Sequence, residues 1–418
     1  MKLNLFFLLA LMLSSTLAIS NPVTDSTTMG GGYASDVFYS FENGVIATSE
    51  RNTWDIAFYT NRWSAGIITN GGIGTQLVTY ENGDTSNWNA IDTTGMAGWK
   101  RLYNSDSIWE DGAFNRNAMG HPDYGWGMYN MVSHDVVGDS IYIITLANGA
   151  KKKLWIESKN SVNNTYTFTY ANLDGTNEYT EVLDATPYED KLFVYYNLSI
   201  SSIIDREPLK NSWDIIFTRY VTTVFDNEGN PSPYTVVGVL NNVGVAANKN
   251  YPVDESFTDW TAQPMDDAKT VIGHNWKYFD MNSFSYVIED STVFFVQALS
   301  GNVYKFVPTY FSGQSEGKTI FTKELISLVS VDENSTIDNS IAVFPNPAKD
   351  HVRVALNNQI SAMAELQLFD LSGRIVYQTQ QPVANGMLDI RFDNLLSGLY
   401  LIRIQAEGQT FMDKLMIR

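Results

Sequence analysis

Trp54-Asp55-Ile56-Ala57-Phe58 returns later in the chain as Trp213-Asp214-Ile215-Ile216-Phe217, and this repetition decides how the sequence folds. Each copy is a short run of β-formers after a Trp-Asp pair, too short for a helix. Further blocks repeat in the same order. Trp126-Gly127-Met128-Tyr129-Asn130-Met131 is matched by Trp276-Lys277-Tyr278-Phe279-Asp280-Met281. Acidic turns follow at Gly138-Asp139 and Glu289-Asp290, then Ile141-Tyr142-Ile143-Ile144 pairs with Val293-Phe294-Phe295-Val296. Asn148-Gly149 and Ser300-Gly301 mark hairpin turns, and Lys153-Leu154-Trp155-Ile156 corresponds to Lys305-Phe306-Val307-Pro308. A duplication at this spacing predicts two related antiparallel β lobes, over residues 21–180 and 181–327.

Composition narrows the chemistry. The 418 residues contain no cysteine, four histidines (His121, His134, His274 and His351), and 27 Lys plus Arg against 46 Asp plus Glu. Disulfides, thiolate nucleophiles, zinc ribbons and iron–sulfur clusters are excluded by the missing cysteine. Scattered histidines disfavour a multi-histidine metal site. A formal net charge of −19 disfavours a nucleic-acid partner, which would need neutralisation of phosphates. Ten Trp, 23 Tyr and 22 Phe argue for packed structure rather than disorder.

The ends differ from the body. Lys2 precedes an apolar run from Leu3 to Leu13, and Ala18-Ile19-Ser20 supplies small residues at a cleavage site. Residues 1–20 therefore read as a secretory signal peptide, and no other stretch is apolar for long enough to span a membrane. Residues 328–340 are polar, acidic and without period, as in a linker. Residues 341–418 carry seven basic and seven acidic side chains, so the acidic excess lies entirely in residues 21–340, with 19 basic and 39 acidic side chains. The tail predicts a small Ig-like β-sandwich with strands at 341–344, 352–356, 364–369, 374–378, 387–392, 398–405 and 411–417. The whole chain is expected to be all-β.

The tail's motifs are Val343-Phe344-Pro345-Asn346-Pro347-Ala348, Leu368-Phe369-Asp370-Leu371-Ser372-Gly373-Arg374, Leu396-Ser397-Gly398-Leu399-Tyr400, Gly408 and Lys414-Leu415-Met416-Ile417. In these it resembles the type A C-terminal sorting domain of type IX secretion substrates. The resemblance implies passage across the outer membrane to the cell surface or the extracellular space, handling by the type IX machinery, and tail removal by its sortase. Pro345, Asn346, Pro347, Gly373, Gly398, Tyr400 and Lys414 are the residues that carry it.

Each half of the body resembles the HmuY family of secreted haem-binding proteins. The Trp-Asp-Ile-x-Phe strand, Ile67-Ile68-Thr69-Asn70-Gly71-Gly72, the Trp-x-x-aromatic block and the closing hairpin carry this second resemblance. It implies an all-β fold and a haem held by an axial ligand five residues after a Trp, here Met131 and Met281. Met96, followed by Met119, is the candidate for the second ligand. The family's best-known members use His at these places, so this chain departs from the pattern. A thioether is a soft ligand able to hold haem iron. Trp99, Trp109, Tyr124, Trp126 and Tyr129 would line the pocket, Lys100, Arg101 and Arg116 would meet the propionates, and His134 is an alternative ligand. From sequence alone, core gap-filling is the favoured reading of each methionine.

Other motifs lead to no chemistry. Asp55 and Asp214 fit hydrogen bonding to backbone better than catalysis. Lys151-Lys152-Lys153 reads as a solvated edge. Asp226-Asn227-Glu228-Gly229-Asn230 lacks the closing Glu of a calcium loop, and Asn70-Gly71-Gly72-Ile73-Gly74 lacks the Lys-Ser/Thr of a phosphate loop. Adjacent acids nominate no glycosidase pair, and no Gly-x-Ser-x-Gly or His-Glu-x-x-His occurs. The expectation is a non-enzymatic, secreted or surface-displayed binding protein for haem, free or from a host haem protein, or for another flat apolar ligand. The alternatives are a structural or adhesive surface protein that keeps the fold without haem, and a hydrolase using exposed carboxylates.

Overall fold

Both copies of the Trp-Asp motif open a strand that is buried on two faces. In the computed structural model, which describes residues 21–226, 228–328, 341–344, 346, 348–356, 363–370, 374–383, 386–392, 395–396, 398–406 and 409–417, these strands are Ile56–Tyr59 and Ile215–Phe225. Ile56 and Phe58 point into one core and Ala57 into another; Ile215 and Phe217 likewise point away from Ile216. Burial on both sides explains why these segments are continuously apolar rather than alternating.

The body is built from two sandwiches set back to back. In the first, a four-stranded sheet (Ser202–Ile204, Phe193–Asn197, Ile56–Tyr59, Ile67–Thr69) covers an eight-stranded one whose centre is Thr165–Asn172, Lys151–Asn160 and Ile141–Thr145. In the second, a four-stranded sheet (Pro231–Asn241, Ile215–Phe225, Ser35–Ser40, Gly44–Glu50) covers a five-stranded one (Val23–Thr28, Lys318–Ser327, Val303–Phe311, Val293–Gln297, Ala246–Asn250). Leu77, Tyr142, Leu154 and Phe168 fill the first core, and Phe294, Phe306 and Phe321 the second. The outer faces of the two four-stranded sheets then pack on each other through Phe38, Ala57, Phe193, Tyr195, Ile216 and Leu240, with Trp54 and Trp213 among them. All sheets are antiparallel, and the described residues contain short 3-10 turns but no α-helix.

The lobes expected at 21–180 and 181–327 are redistributed in space, because each half lends its opening strands to the other. Val23–Thr28 pairs with Lys318–Ser327, and Ser35–Ser40 pairs with Ile215–Phe225 in the register Tyr39 to Ile215. Reciprocally, Tyr179–Asp184 pairs with Thr165–Asn172, and Phe193–Asn197 pairs with Ile56–Tyr59 in the register Tyr196 to Ile56. The identical register shows that the repeat extends upstream of the Trp-Asp motif, through Val37-Phe38-Tyr39 and Val194-Tyr195-Tyr196.

The motif residues clasp these exchanged strands. Asp214 accepts backbone N–H bonds from Phe41 (2.8 Å) and Leu299 (3.0 Å), while Asp55 accepts one from Leu198 (2.8 Å). Asn70 donates to the carbonyls of Arg51 and Trp54, and Asn242 to those of Lys210 and Trp213. Buried backbone groups at both crossings are thereby satisfied. The lysine run is a correction to the sequence reading. Lys151–Asn160 is an interior strand with partners on both sides, and Lys153 is 1% exposed, its ammonium 4.4 Å from the centre of the Trp88 ring.

The tail, described by itself, has two sheets. Ile341–Phe344, His351–Leu356 and Met387–Arg391 form one; Ile375–Pro382, Met363–Phe369, Gly398–Ala406 and Gln409–Ile417 form the other. Alternate residues such as Val352, Val354, Leu366, Leu368, Ile402 and Ile404 make its core, as period-two patterning requires. The signal peptide expected at 1–20 and residues 329–340 of the expected linker lie outside the described residues.

Candidate functional site

Where the two four-stranded sheets meet, their contact opens into a cavity of about 90 Å³. Trp54, Ile68, Trp109, Ile216, Val221 and Leu240 give it apolar walls. Its polar wall is cationic. Arg51 follows the exchanged strand Gly44–Glu50, Arg206 follows Ser202–Ile204, and Lys269 comes from a later loop. Gly72 sits at the edge of the cavity, in the 3-10 turn Gly71–Ile73, where a Cβ would come 2.4 Å from the Arg219 carbonyl oxygen. Only glycine permits so close an approach of turn and strand.

Asp36 is the carboxylate in this wall, and it is fully engaged. Its Oδ1 accepts from Arg51 Nε (3.0 Å), Arg51 Nη2 (2.7 Å) and Thr218 Oγ1 (2.6 Å); its Oδ2 accepts from Arg206 Nη2 (2.7 Å). Burial alone would raise this carboxyl, but the two guanidiniums and the hydroxyl outweigh it and hold the pKa below the ordinary value. Arg51 is lowered, mainly by burial, with the positive charges of Arg219 and Arg206 adding to the effect against Asp36. Burial also brings Lys269 down to about 7, with Asp106 and Asp111 opposing. Its ammonium donates to the Ile108 carbonyl at 3.2 Å and lies 4.7 Å from the centre of the Trp109 ring.

Donors outnumber acceptors here. Arg51 Nη1, Arg206 Nε and the Tyr220 hydroxyl are buried without a hydrogen-bond partner. The Arg219 guanidinium lies on the other face of its strand, 5.9 Å from the centre of the Tyr33 ring. A second cavity of about 220 Å³ adjoins the first, sharing Tyr103, Asn104, Ser105 and Val221 as walls. Lys100, Arg101 and Arg116 line it together with Asp106. Six cations and two carboxylates thus line the two cavities, in a body where acids outnumber bases two to one. The local field is opposite in sign to that of the protein as a whole.

The residues nominated for haem lie elsewhere. Met131 is 74% exposed on the turn between Gly127–Tyr129 and Asp135–Gly138, and Met281 is 69% exposed on the turn between Lys277–Asp280 and Ser285–Ile288. These positions are equivalent but belong to different sandwiches. Met96 packs beside Trp99 against Val78, Tyr80, Ile141 and Ile143, on the outer face of the large sheet, while Met119 is 92% exposed. Trp126 is fully buried in the first core, with its Nε1 donating to the Ala65 carbonyl at 2.9 Å. Tyr129 is brought to His134, its hydroxyl 2.7 Å from Nδ1, and the His121 ring lies 5.4 Å from that of Tyr129. Lys100, Arg101 and Arg116 are gathered, but around the interlobe cavities. The sequence reading named none of Arg51, Arg206 or Lys269 as a site residue. These three lie far apart in the chain, and the one local signal was the scarcity of basic residues in so acidic a body.

In the tail, Asn346 bridges the first and last strands: Nδ2 donates to the Lys414 carbonyl (2.8 Å) and Oδ1 accepts from the Met416 N–H (2.9 Å). Gly398 opens a strand opposite Ile417, and the Tyr400 hydroxyl donates to the Leu396 carbonyl at 2.7 Å. Pro345, Pro347 and Gly373 lie outside the described residues. No curated protein matches the chain. Residues 342–418 match the family model of the secretion system C-terminal sorting domain. The chain therefore ends in a sorting domain that sends it through the type IX secretion system to the cell surface or the extracellular space.

Proposed function

We propose that the exported chain is a non-enzymatic binding protein that holds a small ligand in the cavity between its two sandwiches. The observation behind this reading is the cavity wall, where apolar rings and unpartnered cationic donors converge. A concave, mostly apolar site with a few convergent polar groups is the usual form of a small-molecule site, and buried donors without acceptors are otherwise costly. The test is thermal-shift screening of the secreted protein against a metabolite library, repeated on Leu240→Phe, which fills the cavity. Binders that disappear in the variant support the reading. An unresponsive library, or binders indifferent to Leu240→Phe, would refute it.

Haem at the Met131 turn is the second reading. In its favour, His121 and His134 flank Tyr129 beside that turn. The interlobe cavity, at about 90 Å³, is far below the roughly 300 Å³ at which sites for larger ligands begin, so haem would sit on the open surface. Haemin titration in both oxidation states decides this. A saturable Soret shift lost in Met131→Ala or His134→Ala supports haem binding, and no shift in either state ends it.

A further inference from the structure

Resting on the cavity reading above, we infer that the ligand is a short-chain organic carboxylate, seated with its carboxylate toward Arg51, Arg206 and Tyr220 and its apolar end toward Trp54 and Trp109. Three features of the wall point to this class. Asp36 has already taken the hydrogen bonds of Arg51 Nε and Nη2, Arg206 Nη2 and Thr218. The donors that remain, Arg51 Nη1, Arg206 Nε and the Tyr220 hydroxyl, call for acceptors rather than further donors. A charged guanidinium N–H binds an ionised carboxylate oxygen about twice as strongly as it binds a neutral acceptor.

Size and surroundings narrow the class. An apolar cavity of about 150 Å³ accepts benzene, so about 90 Å³ suits a molecule of roughly four or five non-hydrogen atoms. Indole and aliphatic walls leave one side of the cavity without hydrogen-bonding groups, which fits a short alkyl end and not a tetrahedral oxyanion. The adjoining groove of Lys100, Arg101 and Arg116 gives an anion an attractive approach through the acidic surface. Lys269, which burial makes easy to deprotonate, would be held protonated by an anion beside it.

Propionate and propionamide have the same shape and differ in charge and in donor content, so they separate the ligand class from the cavity itself. Both, and inorganic phosphate, are titrated into the full secreted chain at pH 7 by calorimetry or ligand-observed NMR. The expected result is a propionate Kd at least tenfold below that of propionamide. In Tyr220→Phe that advantage should fall several-fold, and in Arg219→Ala, whose side chain lies over Tyr33 on the other face of the strand, it should be unchanged. Arg51 is left intact because its pairing with Asp36 holds the exchanged strands. Propionamide within twofold of propionate, or phosphate binding as tightly as propionate, overturns the carboxylate assignment. Silence from all three probes, alongside a library binder that Leu240→Phe abolishes, overturns the assignment while the binding function stands. Silence from probes and library alike overturns both.

Discussion

Replacing Asp214 by Ala should destabilise the body about twice as much as replacing Asp55, although the two occupy the same place in the repeat. Asp214 accepts a buried backbone N–H from Phe41 in the exchanged segment and a partly buried one from Leu299, whereas Asp55 accepts one buried N–H, from Leu198. Each N–H left buried and unpaired costs roughly 1–3 kcal/mol. Asp214→Ala therefore loses about 2–6 kcal/mol and Asp55→Ala about 1–3 kcal/mol. Burial raises the pKa of both carboxyls, so removing them recovers part of the cost of burying a charge, and the lower half of each range is expected. Two sandwiches joined back to back are not assured of unfolding in one step. The assay is therefore local: native-state hydrogen exchange at the Phe41 and Leu299 amides in one variant and Leu198 in the other, with urea midpoints alongside. Asp214→Asn, which keeps one good acceptor, should fall between wild type and Asp214→Ala. Equal losses at the two sites, or a larger loss for Asp55→Ala, would contradict the clasp.

Gly72→Ala should cost about 1–3 kcal/mol by overpacking, since its new methyl would meet the Arg219 carbonyl at 2.4 Å; an unchanged urea midpoint would show that the two sheets are not in this close contact. Burial holds Lys159, Lys269 and Lys277 at about 7. Between that pH and the ordinary lysine value the unfolded chain binds protons that the native chain does not, so stability rises with pH, by up to roughly 1.4 kcal/mol per unit for each lysine. Urea midpoints at pH 7 and pH 9 check this, and a flat or falling trend counts against it. Deleting residues 341–418 should leave the protein in the periplasm, as read by fractionation and surface proteolysis, and normal surface display of the truncated chain would overturn the role of the tail.

How far the sequence could be read depended on whether local pattern or distant pairing decides each feature. The tail was legible strand by strand, because alternation at 352, 354, 366, 368, 402 and 404 marks inward positions and Asn, Gly and Ser punctuate them. The Trp-Asp strands were legible as β from their short runs of β-formers, but their burial on both faces emerged only from the packing of the two sandwiches. Their partners were not, because the pattern around Tyr39 specifies a buried face and says nothing about whether Ile56 or Ile215 lies beside it. Lys153 misled for a related reason: its aliphatic stem and ammonium are satisfied by Trp88, which is distant in the chain. Met131 and Met281 were visible as repeated residues, but a methionine after aromatics reads alike at a packed strand end and on an exposed turn. The cationic cavity assembles residues from Asp36 to Lys269, and no local motif encodes it.

The most direct measurement is a crystal structure of the secreted protein soaked with propionate at a saturating concentration. Electron density for one carboxylate against Arg51 and the Tyr220 hydroxyl, with the ethyl group toward Trp54 and Trp109, is the predicted result. A cavity holding only water under those conditions, with propionate bound elsewhere or nowhere, would contradict it.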